Sequence, residues 1–265
     1  MSAAKRLRSW LPAGALLLGV IAVWEAAVRV LGVPTYILPA PSGVAEAFLR
    51  VRELLVAHTL VTTAEALIGL LAGALVGVAL AVLLWALPPV RRMLYPLLVT
   101  SQTVPMVVLA PLLVLWFGFG LTPKVLVVAL ITFFPVVVST VQGLAGADEE
   151  QIELVESMGA SRAQVLRLVL VPTAVPAFFA GLRIAAAYAV AGAVIGEWVG
   201  ASSGLGLFIT RSQASFQVDQ VFVGVGVITA LSIVIFATVH GCARLASPWR
   251  YADDEPLRAE EETAS

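Results

Sequence analysis

The feature that most limits what this chain can fold into is its nearly continuous apolar lettering. Apolar runs fall at residues 11–31, 64–87, 94–117, 125–141, 175–199 and 221–245. A helix needs about 20 such residues to cross the ~30 Å hydrocarbon layer of a bilayer. The run at 125–141 is short by itself, and Pro123, a favoured early helical residue, extends it. Inside lipid every backbone N–H and C=O must be satisfied within the chain, so runs of this kind span as α-helices. Composition agrees, with 60% hydrophobic and 12% charged residues, half the charged share of about 25% found in soluble domains. The expected fold class is all-α integral membrane, with six transmembrane helices.

The first run follows Lys5, Arg6 and Arg8 but is too long for a signal-peptide core. It ends in "GVPTYILPAPS", residues 32–42, where prolines stand in place of a small-residue cleavage pattern. It reads as a retained anchor. The third run holds Pro96, Pro105 and Pro111, which in lipid mark kinks whose freed carbonyls find neighbours or cavity water. Gly69, Gly73 and Gly77 in the second run form a small-xxx-small stripe suited to close helix packing. Between the first two runs, Val44, Phe48, Val51 and Leu55 follow helical spacing behind Ser42, a candidate cap. This predicts a separate amphipathic helix lying on the outer surface. Glu25 and Arg29, four apart, predict an ion pair in the outer leaflet.

Cytoplasmic loops collect Lys and Arg. With the N-terminus inside, the inner pieces hold Lys5, Arg6, Arg8, Arg91, Arg92, Arg162, Arg167, Arg244, Arg250 and Arg258. The outer pieces hold Arg29, Arg50, Arg52, Lys124 and Arg211, which is ten against five. Both termini are expected in the cytoplasm. The single cysteine, Cys242, excludes an internal disulfide. His58 and His240 lack carboxylates at ligand spacing and read as polar markers of helix ends. Neither lysine, Lys5 nor Lys124, follows a GxxxxG loop, so the chain has no phosphate-binding loop of its own. No catalytic residue, metal, cofactor or nucleic-acid partner is expected.

One stretch breaks the apolar pattern: "ELVESMGASRAQVLRLVLVP", residues 153–172. Between Asp148 and Arg167 stand seven charged residues, namely Asp148, Glu149, Glu150, Glu153, Glu156, Arg162 and Arg167. Burying them would cost on the order of 20 kcal/mol on the insertion scale, so the stretch stays outside the bilayer. Acids suited to a helix start precede Ile152, Val155 and Met158, Gly159 ends that helix, and Ser161 can cap the next. Pro172 marks the return to the membrane. An amphipathic elbow with an exposed glutamate reads either as a docking surface for another subunit or as a helix resting on headgroups.

The spacing Glu153-x5-Gly159-x9-Val169-x-Val171-Pro172 resembles the cytoplasmic "EAA---G---------I-LP" signature of ABC importer permeases, and "GAS" at Gly159, Ala160 and Ser161 fits it too. Leu154 and Val155 depart from the two alanines of the signature. The resemblance extends to "YILPAPSGV" (36–44), "APLLVLWFGFG" (110–120), "KVLVVALITFFPVVV" (124–138) and "IGEWVGASSGLG" (195–206). These look like the subgroup serving nitrate, sulfonate, taurine and thiamine- or riboflavin-precursor uptake, with a lean toward precursors such as hydroxymethylpyrimidine.

The resemblance implies a type-1 ABC importer permease fold in a bacterial plasma (inner) membrane. The implied partners are cytosolic ABC ATPase subunits, an extracytoplasmic solute-binding protein and a second copy of the permease. It makes the elbow a coupling helix that carries Glu153, Ser157, Gly159, Ala160, Ser161 and Pro172, with Glu153 as the ionic contact to the ATPase. The expected organisation is an anchor and outer connection over 1–57, a transmembrane domain over 58–246 with the elbow at 148–172, and a cytoplasmic tail over 247–265. Ser101 and Gln102, beside Thr103 and Pro105, read equally as pore lining or as polar ties between helices. Glu197, with Gly204 and Gly206 after it, is a candidate for the outer gate or substrate path, against a solvated interfacial acid. Arg183 reads as an anchor for the cytosolic end of the fifth span, against a contact with substrate. A secondary transporter or channel without an ATPase would need buried ionisable pairs or a repeat of broken helices, and a scaffold protein would lack a substrate-dependent ATPase.

Overall fold

The structure, a computed structural model, describes residues 3–248, with side chains described for residue 12 and from residue 14 onward. Lys5, Arg6, Arg8, Arg250 and Arg258 therefore lie outside the described side chains, as does all but the start of the expected tail. The described chain is helical throughout: α1 Ala3–Val30, α2 Pro41–Ala86, α3 Pro88–Ser101, α4 Met106–Phe117, α5 Leu121–Ala145, α6 Glu149–Ser157, α7 Arg162–Val165, α8 Val171–Glu197, α9 Leu205–Ala214 and α10 Val218–Ala246. A π-helical turn, Leu166–Leu170, joins α7 to α8.

Among the described residues four helical stretches are long and apolar enough to cross a membrane: Pro41–Ala86, Leu121–Ala145, Arg162–Glu197 and Val218–Ala246. The pair α3 and α4 adds a fifth candidate only if it is one broken span, since the two helices meet at 101°. The kink expected in the third run is thus a break. Pro105 takes the extended backbone of a cap at the head of α4 and has no N–H with which to continue a ladder. Pro96 and Pro111, by contrast, stay inside their helices. The expected first span coincides with α1.

The surface helix expected before the second span is not a separate element. From Pro41 to Ala86 the helix is unbroken, about 69 Å at 1.5 Å per residue. No proline interrupts it after Pro41. Ser42 does not cap it: Ala40 holds the cap position, and the Ser42 N–H and hydroxyl both donate to the Glu25 carboxylate. The expected Glu25–Arg29 ion pair forms at 2.5 Å. The expected domain boundary after residue 57 falls inside α2.

Packing is centred on α5, which lies against α2 on one side and α8 on the other, with α10 against α8. Between helices already in lipid there is no water to expel, so close approach of small residues drives association. The core shows this: Ala66 on α2, Val128 and Val136 on α5, and Ala185, Ala186, Ala189 and Ala193 on α8 are wholly buried together. The glycine stripe of α2 faces α5, with Gly69 on Val128, Gly73 on Thr132 and Gly77 on Val136. A Cβ at Gly73 would lie 2.9 Å from the Ala129 carbonyl oxygen, and worse from the Thr132 hydroxyl.

Candidate functional site

The elbow is built from its charges outward. Asp148 caps α6 by accepting from the Glu150 N–H, and Glu149 and Glu150 occupy the first turn, where acids suit the helix dipole. Gly159 takes φ +86°, a left-handed conformation that turns the chain, and the Ala160 N–H donates back to the Val155 carbonyl. The Gln164 side chain then accepts from both the Ser161 N–H and hydroxyl at the start of α7. Ile152, Val155, Ala160 and Val165 pack on Leu144, Leu170, Ala174 and Trp85. That leaves Glu153, Leu154, Ser157 and Met158 exposed, with Leu154 at 61% and Met158 at 80%.

Pro172 lies where the elbow passes into α8. It stands in the first turn of α8, where a missing N–H is tolerated. Just before it the ladder widens to a π turn, in which the Val171 N–H donates to the Leu166 carbonyl. The second elbow helix is therefore the opening of one continuous stretch, Arg162–Glu197.

The other end of the bundle holds a buried polar cluster. Glu197, 1% exposed, is not a solvated interfacial acid. After the turn at residues 198–204, α9 begins with unpaired N–H groups, as every helix does. Side chains of α2 and α8 satisfy three of them: Gly204 donates to His58 Nδ1 at 2.9 Å, Leu205 to Thr62 Oγ1 at 2.8 Å, and Gly206 to Glu197 Oε2. The Thr62 hydroxyl donates in turn to Glu197 Oε1 at 2.6 Å. A carboxylate at a helix N-terminus is favoured by the dipole as well. Gly204 has φ +122°, and a Cβ there would strike the Glu197 carboxyl; one at Gly206 would sit 2.9 Å from Glu197 Oε2. Both glycines are required by that approach. Beside them Lys124 of α5 donates to Glu65 of α2 at 2.6 Å, and both are buried.

Glu197, Gly204 and Gly206 thus come together as one site, whereas Ser101 and Gln102 lie elsewhere, at the break between α3 and α4. There the hydroxyls close on the carbonyls of their own turn: Thr100 donates to Pro96, Ser101 to Leu98 and Thr103 to Thr100. Sequence reasoning missed His58, Thr62, Glu65 and Lys124. His58, expected to mark a helix end, is buried within α2. Their signal was available, since positions 58, 62 and 65 share one helix face. Arg183 meets His240 of α10 at 3.3 Å, a contact between helices.

The described chain is thus a bundle of helices apolar enough to cross a membrane, with an amphipathic elbow at one end and a turn locked by buried polar groups at the other. The chain belongs to the family of binding-protein-dependent transport system inner membrane components, which matches residues 69–248. It is 39% identical over 229 residues to the formylaminopyrimidine transport permease protein ThiX of Halalkalibacterium halodurans, covering 86% of this chain and 91% of that one. With the riboflavin transport system permease protein RibX of Chloroflexus aurantiacus it shares 37% over 228 residues, 85% of each chain. With the taurine transport system permease protein TauC of Escherichia coli it shares 30% over 236 residues, 86% of each. The fold is that of the MetNI methionine ABC transporter in its inward-facing conformation, with a TM-score of 0.66 at 20% identity over 74% of this chain and 98% of that chain. The protein is a multi-pass inner-membrane permease subunit of an ATP-binding-cassette importer, and such subunits are not themselves catalytic.

Proposed function

We propose that this permease works as a homodimer of six-span subunits with both termini in the cytoplasm, driven by separate cytosolic ATPases that dock on the elbow. The observation that carries the reading is the two-faced elbow. Its inner face is packed on Leu144, Leu170 and Ala174, while Glu153, Leu154 and Met158 stand exposed around it. Glu153 is the ionic contact, Gly159 sets the turn, and Ser157, Ala160 and Ser161 shape the docked surface, with Pro172 at the root of α8. The positive-inside count puts the elbow in the cytoplasm. The cluster around Glu197, Gly204 and Gly206, about 30 Å away along α5 at 1.5 Å per residue, then belongs to the outer mouth, where a solute-binding protein delivers cargo. Closure of the ATPase pair draws two elbows together and rocks the helices about a central path.

The cargo is a small polar organic solute of the pyrimidine-precursor or flavin kind. Support comes from the two relatives named for formylaminopyrimidine and riboflavin, at 39% and 37% identity, against 30% for the taurine permease. The test is Glu153→Lys, reconstituted in vesicles with the ATPase and the binding protein. Uptake and binding-protein-stimulated ATP hydrolysis should both be lost while the chain stays inserted. Full uptake by that variant would defeat the coupling role.

A further inference from the structure

The break between α3 and α4 borders an open cleft of about 360 Å³, within the size range of small-ligand sites. Its walls are apolar: Leu98 of α3, Met106 and Leu109 of α4, and Leu130 and Phe133 of α5, among others, and no charged residue lines it among those described. The polar run at the break is almost entirely spent on itself, because Thr100, Ser101 and Thr103 each donate to a carbonyl one turn back. One group is left over. Gln102 also lines the cleft, and its amide nitrogen is buried with no acceptor among the described residues. A buried donor without a partner is uncommon enough in folded proteins to call for an explanation.

We propose that this cleft is a solute-binding site on the translocation path, in which the Gln102 amide donates to a ring nitrogen or carbonyl of an uncharged heteroaromatic solute. The inference rests on the importer reading and adds the residue and the chemistry that select the cargo. Phe133 offers a ring face and Met106 a polarisable thioether, both favourable against a flat aromatic ring. An acceptor on that ring supplies what Gln102 lacks. A sulfonate or nitrate would instead shed its water with no cation to meet it, which strongly disfavours an anion here. Ser101, its hydroxyl already committed to Leu98, is a support of the break and not a ligand.

The experiment is equilibrium binding of hydroxymethylpyrimidine and of taurine to the purified permease with its ATPase in lipid nanodiscs, for the native chain and Gln102→Leu. Leucine keeps the bulk and removes the donor. The native chain should bind the pyrimidine saturably and taurine at least roughly tenfold more weakly, and Gln102→Leu should lose roughly tenfold for the pyrimidine, the scale of one buried hydrogen bond. Gln102→Asn, which keeps the amide on a shorter arm, should recover part of the loss. Equal binding by the native chain and Gln102→Leu, or equal binding of taurine and the pyrimidine, overturns the proposal. So does a Gln102→Leu chain that changes only its dimer fraction, since Gln102 would then be pairing with a second copy. Failure of the importer reading looks different: no ATPase would remain with either chain, whatever the binding.

Discussion

Glu197 shows how much one side chain can hold in lipid. A carboxyl buried this deeply is costly unless its oxygens are met by donors, and here the Thr62 hydroxyl and the Gly206 N–H of α9 meet them. Glu197→Gln would turn an N–H toward one of those donors and loosen the turn at residues 198–204. A hydrogen bond to a charged group is worth about 1.5–3 kcal/mol. Uptake in vesicles should accordingly fall roughly tenfold while the ATPase remains bound; an unchanged uptake rate would remove Glu197 from the route. The neighbouring pair is a sharper test of energetics. Removing one partner of a buried ion pair leaves an uncompensated charge, at a cost of about 3–5 kcal/mol. Glu65→Leu or Lys124→Met alone should each lower the unfolding temperature in detergent well below that of the native chain. The double variant, with both charges gone, should recover most of the loss. A double variant as unstable as either single would show that the two residues do not act as a pair.

At the level of elements, proline and glycine positions decided where helices stop, and their meaning depended on context. Pro96, Pro111, Pro135 and Pro176 are accommodated inside helices, Pro172 is absorbed by the π turn before it, and Pro105 heads a new helix at 101° to the last. All are the same residue, and local propensity does not distinguish them. What stands before Pro105 and before none of the others is a cluster of hydroxyls that donate to carbonyls one turn back. The glycine stripe is simpler. Gly69, Gly73 and Gly77 let α2 and α5 meet backbone to backbone, and Gly73 has the least room. Gly73→Val would drive methyl groups into Thr132 and the Ala129 carbonyl, and overpacking of this kind costs typically about 1–3 kcal/mol. A drop in thermal stability in detergent is expected. Gly226→Val, where nothing stands within 4 Å, is the control that should leave stability unchanged.

For the whole molecule, the arrangement places an elbow and a polar cluster at opposite ends of the same helices, with α5 and α8 running between them. The loss of coupling expected for Glu153→Lys belongs to this scale, because it should stop transport without disturbing the cluster about 30 Å away. A limited proteolysis pattern identical to the native one, together with lost uptake, is the expected pair of results. The sequence by itself determined the solvent, the helical class, the sites of most spans and the existence of the elbow. These follow from run length, charge density and capping chemistry, which are local properties of the chain. Only the tertiary structure decided that α2 runs unbroken past the expected boundary and that the third run breaks at Pro105. It alone brought His58, Thr62, Glu65, Lys124 and Glu197 into one cluster. Those outcomes depend on which groups face each other across α2, α5, α8 and α9, and partners as far as 146 positions apart in the chain leave no local trace of having met.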